Sequence, residues 1–268
     1  MKKTLAVIAL CLAALCGAMA QTQEHKNINV VILGDSNTWI GGDDCDNEKG
    51  WNKWFKDFFQ PASCKSYARS GATWTNTSRT RLNTEENIAV LGDNNVIYNQ
   101  IMRLRQAVKN GSQTTPNLII IAAGTNDAWF QNKRPFVFSE TGEEASLWAD
   151  KPITGMEVSK VKSLAKSVRY GCELLMESFP DAQIVLLTPL QCTATKLEYI
   201  HQAGDIIEEC GRQMSISVIR QDHLGCVNRT QELRAKRFTS DGTHTNAEGA
   251  CRNGRLIANQ IASLLQIR

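Results

Sequence analysis

The sequence has no excess of charge of either sign and contains few prolines. Lys and Arg number 30 against 27 Asp and Glu, and Lys2 and Lys3 stand at the N-terminal end. Without these two, 28 basic residues face 27 acidic ones, and no run of Lys or Arg concentrates positive charge elsewhere. A protein that binds a phosphate backbone needs such a concentration, so nucleic acid is not expected as a partner. With 6 Pro, 18 Gly and 42% hydrophobic residues, the composition also excludes a disordered or collagen-like chain.

Motifs for metal ions are missing as well. No Cys-x-x-Cys pair occurs and the histidines are scattered, so a zinc site of the usual spacing is not indicated. The acidic stretch 43–48 lacks the EF-hand spacing, because the twelfth position counted from Asp44 is Phe55, and we interpret it as a solvated loop. His201 and His223 follow no strand-end motif and are interpreted as structural or surface residues. Neither a metal nor another cofactor is expected.

A long apolar run occurs near the N-terminus. Lys2 and Lys3 precede an apolar stretch over residues 5–15, and the small-x-small pattern of Ala18-Met19-Ala20 follows it. A membrane anchor needs about 18 or more apolar residues, and this run is shorter. We therefore expect residues 1–20 to be a signal peptide cleaved after Ala20, with no integral membrane span after processing. The protein is then exported to the periplasm or the medium, and the leader is typical of bacteria.

The remaining residues, 21–268, are expected to form a single domain. Their 248 residues suffice for one sizeable core, and no linker or repeat divides them. They contain seven cysteines in a compartment where disulfides persist, and an odd number leaves at least one thiol free. Disulfides and buried thiols both remain open, and the sequence fixes neither the connectivity nor the oligomeric state.

Short apolar segments alternate with helical patterns along the domain. The segments lack strict alternation, which is typical of strands buried on both faces, and they cover residues 29–33, 117–123, 183–187 and 216–219, with a shorter candidate at 65–68. Apolar residues recur at helical spacing over residues 95–108, 158–176 and 256–265. This alternation predicts βαβ units, and hence a parallel sheet with helices on both faces. Ligands of such sheets bind at the carboxyl ends of the strands.

Residues that can carry nucleophilic catalysis stand at these predicted strand ends. Gly34-Asp35-Ser36-Asn37 directly follows the first strand, so Ser36 is the candidate nucleophile. A serine hydroxyl needs a base, and the base needs an orienting carboxylate. Asp241 and His244, which stand just before the last helix, supply both groups.

Two further blocks offer hydrogen-bond donors for an oxyanion. Gly124-Thr-Asn126-Asp127 follows the second strong strand and places an amide side chain at its end. Ser70-Gly71-Ala72 follows the short strand candidate and offers an unhindered backbone N–H. Donors aimed at a developing negative charge stabilise the transition state of acyl transfer.

With these blocks in this order, the chain resembles the SGNH hydrolases, the esterase and lipase superfamily often called GDSL. The resemblance implies a three-layer α/β/α sandwich around a five-stranded parallel sheet, a flavodoxin-like arrangement. It also implies that Ser36 is the nucleophile, that His244 is the base, and that Asp241 orients the imidazole. The N–H groups of Ser36 and Gly71 and the amide of Asn126 would form the oxyanion hole.

The sequence departs from the family pattern beside the reactive groups. Asn37 replaces the leucine that gives the longer motif its name, and Asn246 stands where members often have proline. These changes bear on the subfamily and not on the chemistry. The α/β-hydrolases, the other well-known secreted serine hydrolases, carry Gly-x-Ser-x-Gly around the nucleophile, and that pentapeptide is absent here.

The substrate is predicted from aromatic residues near the blocks. Trp39, Trp74 and Trp129 each follow a site residue by three positions, so we expect the three indoles to ring the cleft. Flat aromatic faces suit sugar rings, which favours removal of short acyl groups, acetyl above all, from a small-molecule or polysaccharide ester. The segment 128–155 has no clear period and is expected to wall the same cleft.

Several alternatives stay open. The tryptophans can instead close the top of the core, and the segment 128–155 can be a surface excursion with its own aromatic cluster. An acyl chain on the same surface would make the protein a lysophospholipase or thioesterase. The same residues would also support transfer of an acyl group to a sugar, and the scaffold alone would support a non-catalytic carbohydrate-binding module.

Overall fold

A five-stranded parallel sheet forms the centre of the molecule. The structure is a computed structural model that describes residues 25–146 and 151–266. The expected signal peptide, residues 1–20, lies outside the described residues. The strands are β1 (Asn29–Gly34), β2 (Ser63–Ser66), β3 (Leu118–Ala122), β4 (Gln183–Leu187) and β5 (Ser217–Ile219). Their order in the sheet is β2-β1-β3-β4-β5, and every neighbouring pair is parallel, which confirms the predicted fold.

Helices cover both faces of this sheet. In chain order they are α1 (Ser36–Trp39), α2 (Trp51–Phe59), α3 (Ile97–Lys109), α4 (Thr125–Phe130), α5 (Gly142–Ser146), α6 (Leu164–Ser178), α7 (Leu197–Gln213), α8 (Gln221–Leu224), α9 (Arg229–Arg234) and α10 (Ala247–Leu264). Alternate residues of β3 point to opposite faces, so Ile119 packs in one core with α3, α6 and α7, whereas Ile120 packs in a second core with α2 and α10. Because β3 has helices on both faces, all its residues are buried, and its sequence is continuously apolar.

Two long helices are not among those predicted from periodicity, and one begins later than predicted. α2 and α7 are missed, although each turns an apolar face to the sheet. In α7 that face includes the small residues Ala203 and Gly204, which weaken the periodic signal. The helix predicted from residue 158 begins at Leu164, because Ser163 caps it by accepting a hydrogen bond from the Lys166 N–H. The residues before it form a 3-10 turn, Val158–Lys160.

The cysteines of the described chain are free thiols. Five of the seven are buried in the packed interior, namely Cys45, Cys64, Cys172, Cys192 and Cys210, while Cys226 and Cys251 are half-buried. In the part of the chain that the structure describes, no helix combines the length and the apolar character needed to cross a membrane.

Candidate active site

An open cleft lies where the carboxyl ends of the central strands meet. It has a volume of about 280 Å³. Its lining consists of Ser36, Ser70, Gly71, Val90, Leu91, Thr125, Asn126, Trp129, Cys192, Ala194, Thr195, Thr243 and His244. Segments that follow each of the five strands contribute to it, as expected for a parallel α/β sheet. Ser36, Gly71, Asn126 and His244, which lie far apart in sequence, thus share one cavity.

Ser36 is held by the turn between β1 and α1. Asp35 is the N-cap residue of α1, and its carboxylate accepts a hydrogen bond from the Asn37 N–H at 3.1 Å. Ser36 is the first residue of the helix, so its N–H has no acceptor within the helix. The side chain of Ser36 faces the cleft, where its Oγ lies 2.9 Å from the Nε2 of His244.

His244 is oriented by the loop that precedes α10. Its Nδ1 lies 2.6 Å from Oδ2 of Asp241, and the Oδ1 of Asp241 accepts the backbone N–H groups of Thr243 and His244 at 2.8 Å each. Gly242 adopts a φ of +95°, which glycine tolerates without strain, and this lets the loop turn back on itself. The chain of contacts Asp241–His244–Ser36 has the geometry in which a carboxylate orients an imidazole and the imidazole accepts a hydroxyl proton.

The hydrogen-bond donors around Asp241 favour its ionised form. Burial alone would raise the pKa of Asp241, but the hydrogen bonds from the His244 imidazole and from the backbone N–H groups outweigh it, so its pKa is lowered. Asp35, directly before Ser36, behaves oppositely. It is almost completely buried, and burial raises its pKa to about 6 although the Asn37 N–H and the Thr125 hydroxyl stabilise the anion.

Two more donors point into the cleft beside Ser36. Gly71 has a φ of +80°, and the described residues offer no acceptor for its N–H. A side chain at Gly71 would not fit, because a Cβ there would lie 2.9 Å from Cγ1 of Val90. The Nδ2 of Asn126 donates one of its hydrogens to the Ala72 carbonyl at 2.9 Å, which leaves the other for a ligand. The structure thus brings the donors of Ser36, Gly71 and Asn126 to one side of the cleft.

Asp127 holds these donors together. Its carboxylate is completely buried and accepts the N–H groups of Trp74 at 3.0 Å and Thr75 at 2.9 Å. Burial raises the pKa of Asp127, while these backbone hydrogen bonds act in the opposite direction. Asp127 therefore ties the segment after Gly71 to α4, which carries Asn126, and sequence analysis assigned it no such role.

The expectation that three indoles ring the cleft is wrong for Trp74. Its side chain is 2% exposed and packs in the core against Ile101 and Gly171, because the absence of a side chain at Gly171 leaves room for the ring. Trp129 does line the cleft and is 44% exposed. Trp39 is exposed as well, but it does not line the cleft.

The segment 128–155 also differs from its expected place. Apart from Trp129, its described residues do not line the cleft. Phe130 and Val137 are buried, and Phe138 lines a separate cavity beside α7 and β5. Phe136 and Phe138 pack against the core instead of lining the cleft.

The apolar wall of the cleft comes from residues that sequence analysis did not identify. Val90 and Leu91 extend over Gly71 from an irregular segment, and Cys192 and Ala194 face them from the loop after β4. The triplet Ala89-Val90-Leu91, which is apolar within a polar stretch, is the one signal that could have indicated this wall.

Two other polar clusters of the described chain contain ion pairs. His201 and His223 flank the buried Asp222, and these three side chains could in principle ligate a metal ion. Arg220, however, donates to both oxygens of Asp222 at 2.9 and 2.7 Å, so its positive charge stands where a cation would. In the acidic stretch, Asp43 pairs with Arg69 at 2.9 Å.

Comparison with known proteins places the chain in a family. The model of the GDSL-like Lipase/Acylhydrolase family matches residues 30–257. No curated protein matches the sequence. Among solved structures, the chain is similar to a lipase/acylhydrolase from Enterococcus faecalis, with 16% identity, 90% of this chain and 99% of that chain covered, and a TM-score of 0.52.

Two further solved structures have names that mention a sugar. One is a carbohydrate acetylesterase from Sinorhizobium meliloti, with 17% identity, 89% of this chain and 100% of that chain covered, and a TM-score of 0.52. The other is an acetyl xylan esterase, with 14% identity, 89% and 100% coverage, and a TM-score of 0.51. At such identities the likeness establishes the fold.

Proposed function

The chain belongs to the GDSL-like lipase/acylhydrolase family, and we propose that it is an exported serine esterase that removes short acyl groups, acetyl above all, from carbohydrate. The observation that carries the reaction is the series of contacts from Asp241 through His244 to Ser36, at 2.6 and 2.9 Å. Family membership supports ester hydrolysis, and the residues of the cleft support a serine nucleophile.

The mechanism follows from the positions of the donors and acceptors. His244 accepts the Ser36 proton through Nε2 as Oγ attacks the ester carbonyl carbon, and Asp241 stabilises the imidazolium that forms. The carbonyl oxygen becomes negative and receives hydrogen bonds from the N–H groups of Ser36 and Gly71 and from Asn126. The imidazolium then protonates the leaving alcohol. Water, deprotonated by His244, attacks the acyl-enzyme, and the acid departs as Ser36 recovers its proton.

The proposal for a carbohydrate substrate depends on the open side of the cleft. Trp129 presents a half-exposed ring beside Asn126, a surface on which a sugar ring can stack. The small volume of the cleft favours a short acyl group. The acetylesterases among the similar structures act on substrates of this class according to their names, which supports the same choice for this chain.

A second candidate is hydrolysis of a longer acyl chain, as in a lysophospholipase or thioesterase. The specific observation in its favour is the apolar wall, since Val90 is 60% exposed and Leu91 is 45% exposed beside the reactive groups. Exposed apolar side chains at a cleft are typical of a surface that binds apolar ligands.

The test of the reaction is release of acetate or p-nitrophenol from short-acyl esters. Ser36→Ala and His244→Ala should each lower kcat by about 10³–10⁶-fold, because the two groups act as a unit. Ser112→Ala and His223→Ala, which alter residues outside the cleft, are the matched controls and should retain activity. A Ser36→Ala variant that keeps its activity would refute the proposal.

The substrate class is tested separately. Acetylated xylo-oligosaccharides should quench the tryptophan fluorescence of the protein, and the Trp129→Phe variant should show less quenching. Decanoyl esters hydrolysed faster than acetyl esters would instead favour the second candidate.

A further inference from the structure

Two buried thiols meet beside the turn that follows α1. Cys45 lies in this turn, with a φ of +52°, and Cys64 is the second residue of β2, where it pairs with Val30. Their sulfur atoms are 3.7 Å apart, and the two residues are 1% and 5% exposed. Among the described residues, no other two sulfurs lie within hydrogen-bond distance of each other.

We propose that Cys45 and Cys64 form a disulfide in the exported protein, which links the turn after the Ser36 helix covalently to β2. The two side chains already point at each other within one apolar cluster, together with Trp51 and Phe55. A disulfide has a sulfur–sulfur distance of about 2.0 Å, so the bond requires a small approach of two side chains and no rearrangement of the strands.

The remaining thiols have other surroundings. Cys210 directs its sulfur at the Ala165 carbonyl at 3.6 Å, and Cys226 directs its sulfur at the Gly249 carbonyl at 3.3 Å. Cys192 lines the cleft. The proposal therefore assigns one bond and leaves five thiols, in agreement with the odd total of seven.

The chemistry is an exchange with an oxidised dithiol, either a protein disulfide oxidoreductase or oxidised glutathione. While the chain folds, both thiols are exposed to such an oxidant, and Cys45 can attack first as the thiolate. Its thiolate attacks one sulfur of the oxidant, a mixed disulfide forms, and a thiolate leaves. Cys64 then loses its proton and attacks the Cys45 sulfur, which releases the second thiolate. The chain loses two protons and two electrons, and the oxidant is reduced to two thiols.

The bond would be made while the chain folds, because both sulfurs are buried afterwards. It would close a loop that contains α2 and fix one end of the turn 41–46, which also contacts β2 through the hydrogen bond from the Ser66 N–H to the Asp43 carbonyl at 2.8 Å and through the ion pair of Lys65 with Asp44. This turn connects the helix of Ser36 to the rest of the fold. The proposal needs export into an oxidising compartment but does not depend on the esterase reaction.

Peptide mapping of the full-length protein, exported from its own leader, tests the bond. The unfolded protein is treated with iodoacetamide and digested with trypsin without reduction. We expect peptide 27–49 linked to peptide 57–65, at a mass two hydrogens below their sum, while Cys172 and Cys210 carry the alkyl group. Alkylation of both Cys45 and Cys64, or a bond from either to another cysteine, would overturn the proposal.

Thermal unfolding gives an independent test. Reduction with dithiothreitol should lower the Tm of the wild type by about 5–10 °C, as expected for a loop of this size in a domain of this size. It should not lower the Tm of the Cys45→Ala, Cys64→Ala double variant, and Cys251→Ala should respond like the wild type. An equal Tm with and without reductant in the wild type would contradict the proposal, and the mapping decides the question if the double variant does not fold.

Discussion

At the scale of single residues, the carboxylates near the cleft differ in the direction in which their surroundings shift their pKa. Three donors hold Asp241 in its ionised form and lower its pKa, whereas burial outweighs the hydrogen bonds that Asp35 and Asp127 accept and raises the pKa of both. Sequence motifs name all three but do not show these surroundings, because burial depends on how distant segments pack. The motifs did predict that Ser36 and His244 lie together, since side chains at the strand ends of a parallel sheet meet at one edge.

Replacing Asp241 with asparagine tests the orienting role proposed for it. The amide can present an N–H to Nδ1 of His244 and so select the wrong tautomer, which should lower kcat by about 10⁴-fold with little change in KM. Steady-state kinetics on p-nitrophenyl acetate measures both quantities. Asp43→Asn, which alters an exposed carboxylate outside the cleft, is the control, and a loss of less than tenfold in Asp241→Asn would speak against the role.

The raised pKa of Asp35 predicts a pH-dependent stability. The folded chain holds this proton more tightly than the unfolded chain, whose carboxyl titrates near 3.9, because ionising the buried group is unfavourable. The stabilising contribution is therefore complete below about pH 4 and is lost as the pH rises through about 6. Relative to Asp35→Asn, the free energy of unfolding of the wild type should fall by about 2 kcal/mol between pH 4 and pH 7.5.

Urea unfolding at a series of pH values measures this difference. The exposed Asp181→Asn variant serves as the control. Wild-type and Asp35→Asn curves that run parallel over this range would show that Asp35 does not titrate as proposed.

At the scale of elements, the strands were predicted better than the helices. β3, and β4 after Gln183, are continuously apolar because helices cover both of their faces, so burial is visible in the sequence itself. α10 was predicted only from residue 256, although it begins at Ala247, and its close packing on α2 was not predicted, because Gly254 forms that contact and glycine carries no hydrophobic signal. Val90 and Leu91, which form the cleft wall, lie in an irregular segment, so no helical or strand periodicity predicts their position.

Because α10 packs closely on α2, adding one methyl group at their contact should lower the free energy of unfolding. A Cβ at Gly254 would lie 2.4 Å from the Trp51 carbonyl oxygen and 2.6 Å from Cβ of Trp54. The backbone of α2 would have to move, so Gly254→Ala should lower the free energy of unfolding by about 1–3 kcal/mol. Urea unfolding measures it, with Gly155→Ala as the control, since nothing lies within 4 Å of that position. Equal stability of the two variants would contradict the close packing.

At the scale of the whole molecule, the fold places a small cleft with an apolar wall at the carboxyl ends of the parallel strands. In the proposed reaction, its volume of about 280 Å³ and its wall of Val90 and Leu91 would decide which acyl groups fit. This property could not be predicted from the sequence, because the wall, the nucleophile and the base come from segments that are far apart in the chain.

Truncating Leu91 tests whether the wall limits the acyl group. Leu91→Ala should raise kcat/KM for octanoyl relative to acetyl esters by about tenfold, which is the effect of one or two methylene groups in a pocket. Leu82→Ala, which removes an exposed leucine that does not line the cleft, should leave the ratio unchanged. An unchanged ratio in Leu91→Ala would show that the acyl group binds elsewhere.

The most direct test of the central claim is covalent labelling of the nucleophile. A fluorophosphonate should add once to the wild type, and after reduction and digestion with trypsin the label should be found on Ser36 in peptide 27–49, which contains no other serine. His244→Ala should be labelled far more slowly, because no base then accepts the Ser36 proton. An esterase that is active yet carries no label, or carries it on another residue, would contradict the account.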